Sequence, residues 1–290
     1  MVPGIRIGVI VLAAVSLAGC GIVGTPAAGP AASATASPSA APSEPEAGQC
    51  HANVFYEQIA MADDRLVPCD LTHVGETVHV GRFLGEAAAG GVPKLIEGAT
   101  GAAAAVQRSA YEDCSAHADL YLGHSWIHPR VTLRIVLPDD ASWQAGQRWY
   151  RCDLYESGWG PIALPDRRGS FKTNWPDPAC FDINQDPIRL VDCADKHPSE
   201  YVGGFMLPAG LTKEPETDKE LAPLHDRCFE LMGSYLGMSA RRARALVGVW
   251  FWWQFDAALW ASGRRAGWCF TWTGKSPSTY VTGSAKGSKS

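Results

Sequence analysis

No sustained apolar run at the start of this sequence is long enough for a permanent membrane span. The run from Ile7 to Leu17 falls short of the about 20 residues that crossing requires. Charge is scarce as well. Charged residues make up 19% of the 290, and the net charge is −5, which leaves no basic face of the breadth that nucleic acid demands. The signatures of several enzyme classes are missing: there is no Gly-x-Ser-x-Gly, no His-Glu-x2-His and no phosphate-cradling glycine loop. Gly158-Trp159-Gly160 lacks the rest of a dinucleotide fingerprint. Residues 21–48 hold no aromatic side chain and almost no large apolar one. Such a segment buries too little to offset the entropy of ordering and is expected to act as a disordered tether.

What is present begins with an export signal, residues 1–20. Arg6 precedes the apolar run, and Leu17-Ala18-Gly19-Cys20 closes it. The closing four residues resemble the lipobox of bacterial lipoproteins. That resemblance implies a diacylglyceryl and palmitate-bearing Cys20, a protein anchored by lipid on the outer face of the cell membrane, and the membrane itself as a partner.

Nine cysteines are present. With Cys20 lipidated, eight remain, an even number that in an exported chain implies disulfides. They fall into two sets, Cys50, Cys69, Cys114, Cys152 and Cys180, Cys193, Cys228, Cys269, and the surrounding residues repeat. VPCDLTHVGE at 67–76 and VDCADKHPSE at 191–200 share Val-x-Cys-x3-His-x2-Glu. Cys114 is followed at the same distance by Tyr121-Leu122-Gly123 as Cys228 is by Tyr235-Leu236-Gly237, and Trp143, Gly146 and Arg148 match Trp260, Gly263 and Arg265. The chain therefore reads as two tandem copies of one α+β domain, 49–158 and 178–274, joined by a linker at 159–177 and followed by a polar tail at 275–290.

Within each copy the pattern predicts strand, strand, helix, strand, strand: an antiparallel sheet against one long helix. GETVHVGRF (75–83) and RVTLRIVLP (130–138) alternate as half-buried strands do. Helices are expected over about 100–122, with Val106, Ala110, Cys114 and Leu120 to Leu122 on one face, and over 218–237, with Pro223 in its first turn. LVGVWFWWQF (246–255) is apolar on both faces, which suits a covered central strand. Arg241-Arg242-Ala243-Arg244 reads as a solvated helix end. The first two cysteines of each set flank a loop of variable length, the third lies on the helix face that meets the sheet, and the fourth lies on a strand. The expected bonds are Cys50–Cys69, Cys114–Cys152, Cys180–Cys193 and Cys228–Cys269.

These blocks resemble the septum formation domain of actinobacterial envelope proteins, whose pattern is a Gly-x-Cys start, Val-x-Cys-x3-His-x2-Glu, a helix with cysteine and a closing Trp-x2-Gly-x-Arg before a last cysteine. They stand here as Gly48-Gln49-Cys50, Val67 to Glu76, Cys114, and Trp143 to Cys152. The second half starts Asp177-Pro178-Ala179-Cys180, without the glycine, and inserts Ala266-Gly267 before Trp268. The resemblance spans nearly all of 48–274. It implies a link to septation and carries no established chemistry.

Three roles compete for His73, Glu76, His197 and Glu200. A catalytic cysteine with a histidine base needs a free thiolate. A zinc site needs three or four ligands. His51, His79, His117, His124 and His128 offer extra ligands in the first copy, whereas the second has only His225 besides His197. The third role is structural or recognition: a His/Glu pair at a strand entrance, satisfying turn backbone. The last is preferred, with no catalytic residue, metal or cofactor. The expected activity is non-enzymatic binding or scaffolding toward an envelope protein or wall polymer, with no nucleic-acid partner. The alternative is an exported enzyme or metal-dependent protein acting on envelope material through the His/Glu motif.

Overall fold

The computed structural model describes residues 44–52, 64–93, 101–156, 167–186, 188–208, 211, 215–253, 260–274 and 276–288. Residues 1–20, expected as an export signal ending at Cys20, and most of the expected tether lie outside them. No helix among the described residues is long and apolar enough to cross a membrane.

Alternating apolar residues build two five-stranded antiparallel sheets of one topology. In the first half β1 (Cys50–His51), β2 (Leu66–Val67), β3 (Gly75–Arg82), β4 (Val131–Val136) and β5 (Trp149–Glu156) take the order β2-β1-β3-β5-β4. In the second half β6 (Cys180–Asp182), β7 (Arg189–Val191), β8 (Ser199–Met206), β9 (Gly248–Trp253) and β10 (Ala266–Trp272) take the order β7-β6-β8-β10-β9. Even the irregularity repeats. The ladder between the two central strands skips Val78 in one half and Val202 in the other, a β-bulge at the same position.

Each sheet carries a long helix on one face. After the short α1 (Glu86–Ala89), α2 (Gly101–Leu122) buries Ala104, Gln107, Ala110, Tyr111, Cys114, Ser115 and Ala118, a stripe at helical spacing. The stripe continues through Tyr121 and Leu122 and passes Leu120 by, which is 76% exposed rather than on the apolar face. Helix α3 (Asp140–Gln144) is capped by Asp139. Helix α4 (Asp218–Leu236) starts from a Thr217/Glu220 capping box and ends at Gly237 with φ 75. Pro223 falls in its second turn, not its first. Helix α5 (Ala240–Leu246) presents Arg241, Arg242 and Arg244 to solvent, with Arg244 paired to Asp226. The Trp-x2-Gly-x-Arg block is a turn: Gly146 and Gly263 sit at φ 96 and φ 89, and each donates its N–H to the carbonyl of Trp143 or Trp260.

Four disulfides join Cys50 to Cys69, Cys114 to Cys152, Cys180 to Cys193 and Cys228 to Cys269, all with Cα separations of 5.2–5.3 Å. Two of them stitch a sheet edge and two stitch helix to sheet.

Strand β9 is an edge strand, not a central one. Its two apolar faces have different covers. Phe251 faces the core beneath α4, while Trp250 and Trp252 join Trp268, Phe270, Tyr201 and Phe181 on the opposite face. The corresponding face of the first sheet is polar. His51 bonds Thr77 at 2.8 Å, Thr77 donates to Asp153 at 2.7 Å, and Arg151 ties Asp153 to Asp64. Counting from the shared cysteines and glutamates, His51, Thr77, Asp153 and Arg151 stand where Phe181, Tyr201, Phe270 and Trp268 stand in the second half.

The halves pack on each other. The Tyr201 hydroxyl donates to the Ile127 carbonyl, Arg265 pairs with Glu112 at 3.0 Å, and Met206 and Trp268 lie against the first core. The ordered body also reaches past the expected boundaries. Glu44 pairs with Arg82, and Gly48 donates to the Thr77 carbonyl, so the end of the tether is docked. Residues 167–177 and 276–288, expected as linker and tail, close over the two halves as described below.

Candidate functional site

Each half buries its His/Glu pair beside its first disulfide. His73 and Glu76 are 1% and 0% exposed, and His197 and Glu200 are 0% and 1% exposed. Cys50, His73 and Glu76 bring one ligand-type atom each within 4.8 Å of the others, and Cys180, His197 and Glu200 repeat the arrangement. The donor set does not suit a thiolate nucleophile, which needs a free sulfur, or a metal, which is left with one histidine and one glutamate in each half once the sulfur is in a disulfide. Here Cys50 and Cys180 are bonded to Cys69 and Cys193.

Each carboxylate is also held by three donors. Glu76 accepts from the Tyr121 hydroxyl at 2.6 Å, the Ser170 hydroxyl at 2.6 Å and the Phe171 N–H at 2.7 Å. Glu200 accepts from Tyr235 at 2.6 Å, from Ser284, and from the Ala285 N–H at 2.8 Å. Burial, and then the bond to the glutamate, pushes both phenols far above the ordinary tyrosine range, so each stays a donor.

The donors arrive on a strap. His73 exchanges both main-chain bonds with Arg167, and His197 does so with Val281. Each strap then turns at a left-handed glycine, Gly169 (φ 82) or Gly283 (φ 79). There its N–H reaches the carbonyl of Cys69 or Cys193 at 2.7 and 2.6 Å. The next residue is the serine that binds the glutamate. Two residues after that glycine's successor, Lys172 and Lys286 lie over the rings of Tyr121 and Tyr235. The histidines fix the turn below. His73 donates Nδ1–H to the Leu71 carbonyl, and His197 donates to that of Asp195, both at 2.8 Å. Nε2 of each is buried without a hydrogen-bond partner.

The structure thus brings His73 and Glu76 to the Cys50–Cys69 bridge and His197 and Glu200 to the Cys180–Cys193 bridge in two equivalent places, while Cys114–Cys152 and Cys228–Cys269 join helix to sheet. Cys20 lies outside the described residues. The strap residues were missed by sequence reasoning, although a signal was present: Gly-Ser-x-Lys occurs at 169–172 and again at 283–286.

An open cleft of about 440 Å³ lies where the halves meet. Its wall includes Trp175, Tyr201, Tyr235 and His124, and Gly203-Gly204 leave part of it bare. The size falls in the range of small-ligand and peptide-side-chain sites. Asp177 links the halves at its rim, accepting from His128 at 3.1 Å and from Lys286 at 3.2 Å. His128 is buried against Trp175 and Tyr201. Its imidazole is held below its ordinary value by burial, against the opposing pull of Asp177.

A family model described as septum formation matches residues 47–269, a span that takes in both halves together. No curated protein and no solved structure matches the chain.

Proposed function

The chain belongs to the septum formation family, and from that premise we propose that it is a lipid-anchored envelope protein that serves septation by binding, without catalysis. In this reading each half is one copy of the family's domain, Cys20 carries the lipid on the outer membrane face, and the cleft between the halves receives a segment of an envelope protein or wall polymer. One observation carries it. The conserved geometry of the two halves spends both buried glutamates on a tyrosine, a serine and a main-chain N–H. A buried carboxylate held by three donors acts as a latch between helix and strap rather than as a group presented to open surface. Among the described residues, the cleft is an open surface to which both halves contribute.

The test is crosslinking in intact cells from a photoreactive residue at His124, on the cleft wall, with the tagged protein imaged. The reading expects a discrete adduct that Trp175→Ala removes, together with enrichment at the division site. An even membrane distribution with no cleft-dependent adduct refutes it. Under the enzymatic alternative, His73→Ala with His197→Ala abolishes a turnover while leaving the adduct intact.

A further inference from the structure

Outside the latches and the cleft, three metal-ligating side chains converge on the first half alone. We propose that His79, Asp113 and His117 form a binding site for a divalent transition-metal ion of the zinc class. This goes beyond the septation reading and does not depend on it.

The scaffold is rigid. His79 lies on β3, next to the bulge and directly across the ladder from Cys152. Asp113 and His117 lie one turn apart on α2, on either side of Cys114, and the Cys114–Cys152 bond ties these two elements together. Asp113 presents Oδ2 to His79 Nε2 at 3.1 Å and Oδ1 to His117 Nδ1 at 3.2 Å. The three ligand atoms all lie within 4.8 Å of one another. In a tetrahedral zinc site with bonds near 2.0–2.2 Å, ligand atoms sit about 3.3 Å apart, so the histidine–carboxylate spacings already fit. The imidazoles are stacked with centroids 3.7 Å apart. A small turn of each ring aims its lone pair at a shared ion, and His117 gives up its 3.0 Å bond to the Asp113 carbonyl.

Two further facts favour a ligand. Tyr150 donates its hydroxyl to Asp113 Oδ2 at 2.8 Å, the kind of outer contact that orients a ligating carboxylate. The side chains are 23%, 34% and 41% exposed, open enough for an ion to enter and for water to complete its shell.

The second half supplies an internal control. Counted from Glu200, Cys228 and Cys269, the positions of His79, Asp113, His117 and Tyr150 hold Gly203, Arg227, Leu231 and Gly267. There Leu231 fills the space, its δ carbons 3.2 Å from where a Cβ on Gly203 would lie. The same helix–sheet contact forms without any of the four, so the fold does not require the cluster.

The probe is Zn²⁺ itself, with Cu²⁺ in parallel, titrated calorimetrically into the full chain purified without a polyhistidine tag. One ion per chain with micromolar or tighter affinity is expected. His79→Ala with His117→Ala, and separately Asp113→Asn, should weaken it at least tenfold, and Tyr150→Phe by roughly tenfold. His117→Leu, the residue of the other half, should fold with an unchanged denaturation midpoint and lose the ion. His73→Ala should bind as the parent does. No heat of binding at 100 µM metal, or an affinity indifferent to the paired histidine substitution, overturns the proposal.

Discussion

The Tyr121 hydroxyl donates a hydrogen bond to Glu76 across 45 residues of chain, at 2.6 Å, and shares that carboxylate with a serine and a main-chain N–H delivered from 94 and 95 residues away. Helix, sheet and strap therefore meet on one buried charge. Glu76→Ala leaves a half-buried phenol, a hydroxyl and a buried amide without an acceptor, and should cost about 3 kcal/mol. Tyr121→Phe removes a single charge-assisted bond and should cost about 1.5–3 kcal/mol. Tyr235→Phe should match it. Chemical denaturation of the oxidised chain reads all three.

The strap makes a polar, dispensable-looking tail structural. A chain ending at Thr282 loses Ser284 and the Ala285 N–H from Glu200. It should be destabilised by about 2–5 kcal/mol, with most of the loss in the second half and the Lys286–Asp177 contact at the seam lost with it. Hydrogen exchange should show new opening at β8 and at the C-terminal turn of α4, with the first half protected as before.

Acid should loosen the seam between the halves. The His128 imidazole lies below its ordinary 6.5 through burial, despite Asp177. A folded-state value below the unfolded one means a contribution that is complete above pH 6.5 and fades as pH falls through the folded value. Asp177, which burial would raise but His128 and Lys286 hold below 3.8, weakens the fold only at more acid pH. Unfolding free energy should thus decline between pH 7 and pH 5, and His128→Asn should flatten that slope. His79 is shifted in the same sense, so some slope should remain.

Thiol titration of the denatured chain should find no more than one free thiol, that of Cys20. The two bridges of the second half should differ in worth. Cys228 and Cys269 are 41 residues apart, and Cys180 and Cys193 are 13 apart. Loop-closure entropy then makes the longer bridge worth about 1 kcal/mol more, to be read from the paired Cys→Ala variants.

Much of this was legible in the chain. Paired cysteines, a Tyr-Leu-Gly helix end and the alternation of Val131, Leu133 and Ile135 each report a local rule of geometry, and the second half repeats the first two. The straps were not legible in the same way, because a single serine and a main-chain N–H have no periodicity, and Gly-Ser-x-Lys sits in composition that reads as loose. The edge position of β9 was hidden for another reason. Apolar residues on both faces suit a central strand, but here α4 covers Phe251 while Trp250 and Trp252 join an aromatic cluster on the other side. The cleft and the His79 cluster depend on which side chains two elements bring together, and that is fixed only once the sheet has its register.

Each bridged cysteine is joined to the next bridged cysteine along the chain. If the chain is exported as proposed, a thread oxidised in order of arrival would make only native bonds, and the first half would be sealed before the second emerges. A thiol left exposed at Cys20 would put that order out of phase by one, offering Cys50 the wrong mate at the outset. Acylation at that residue, besides fastening the protein down, would guard the oxidation sequence against scrambling.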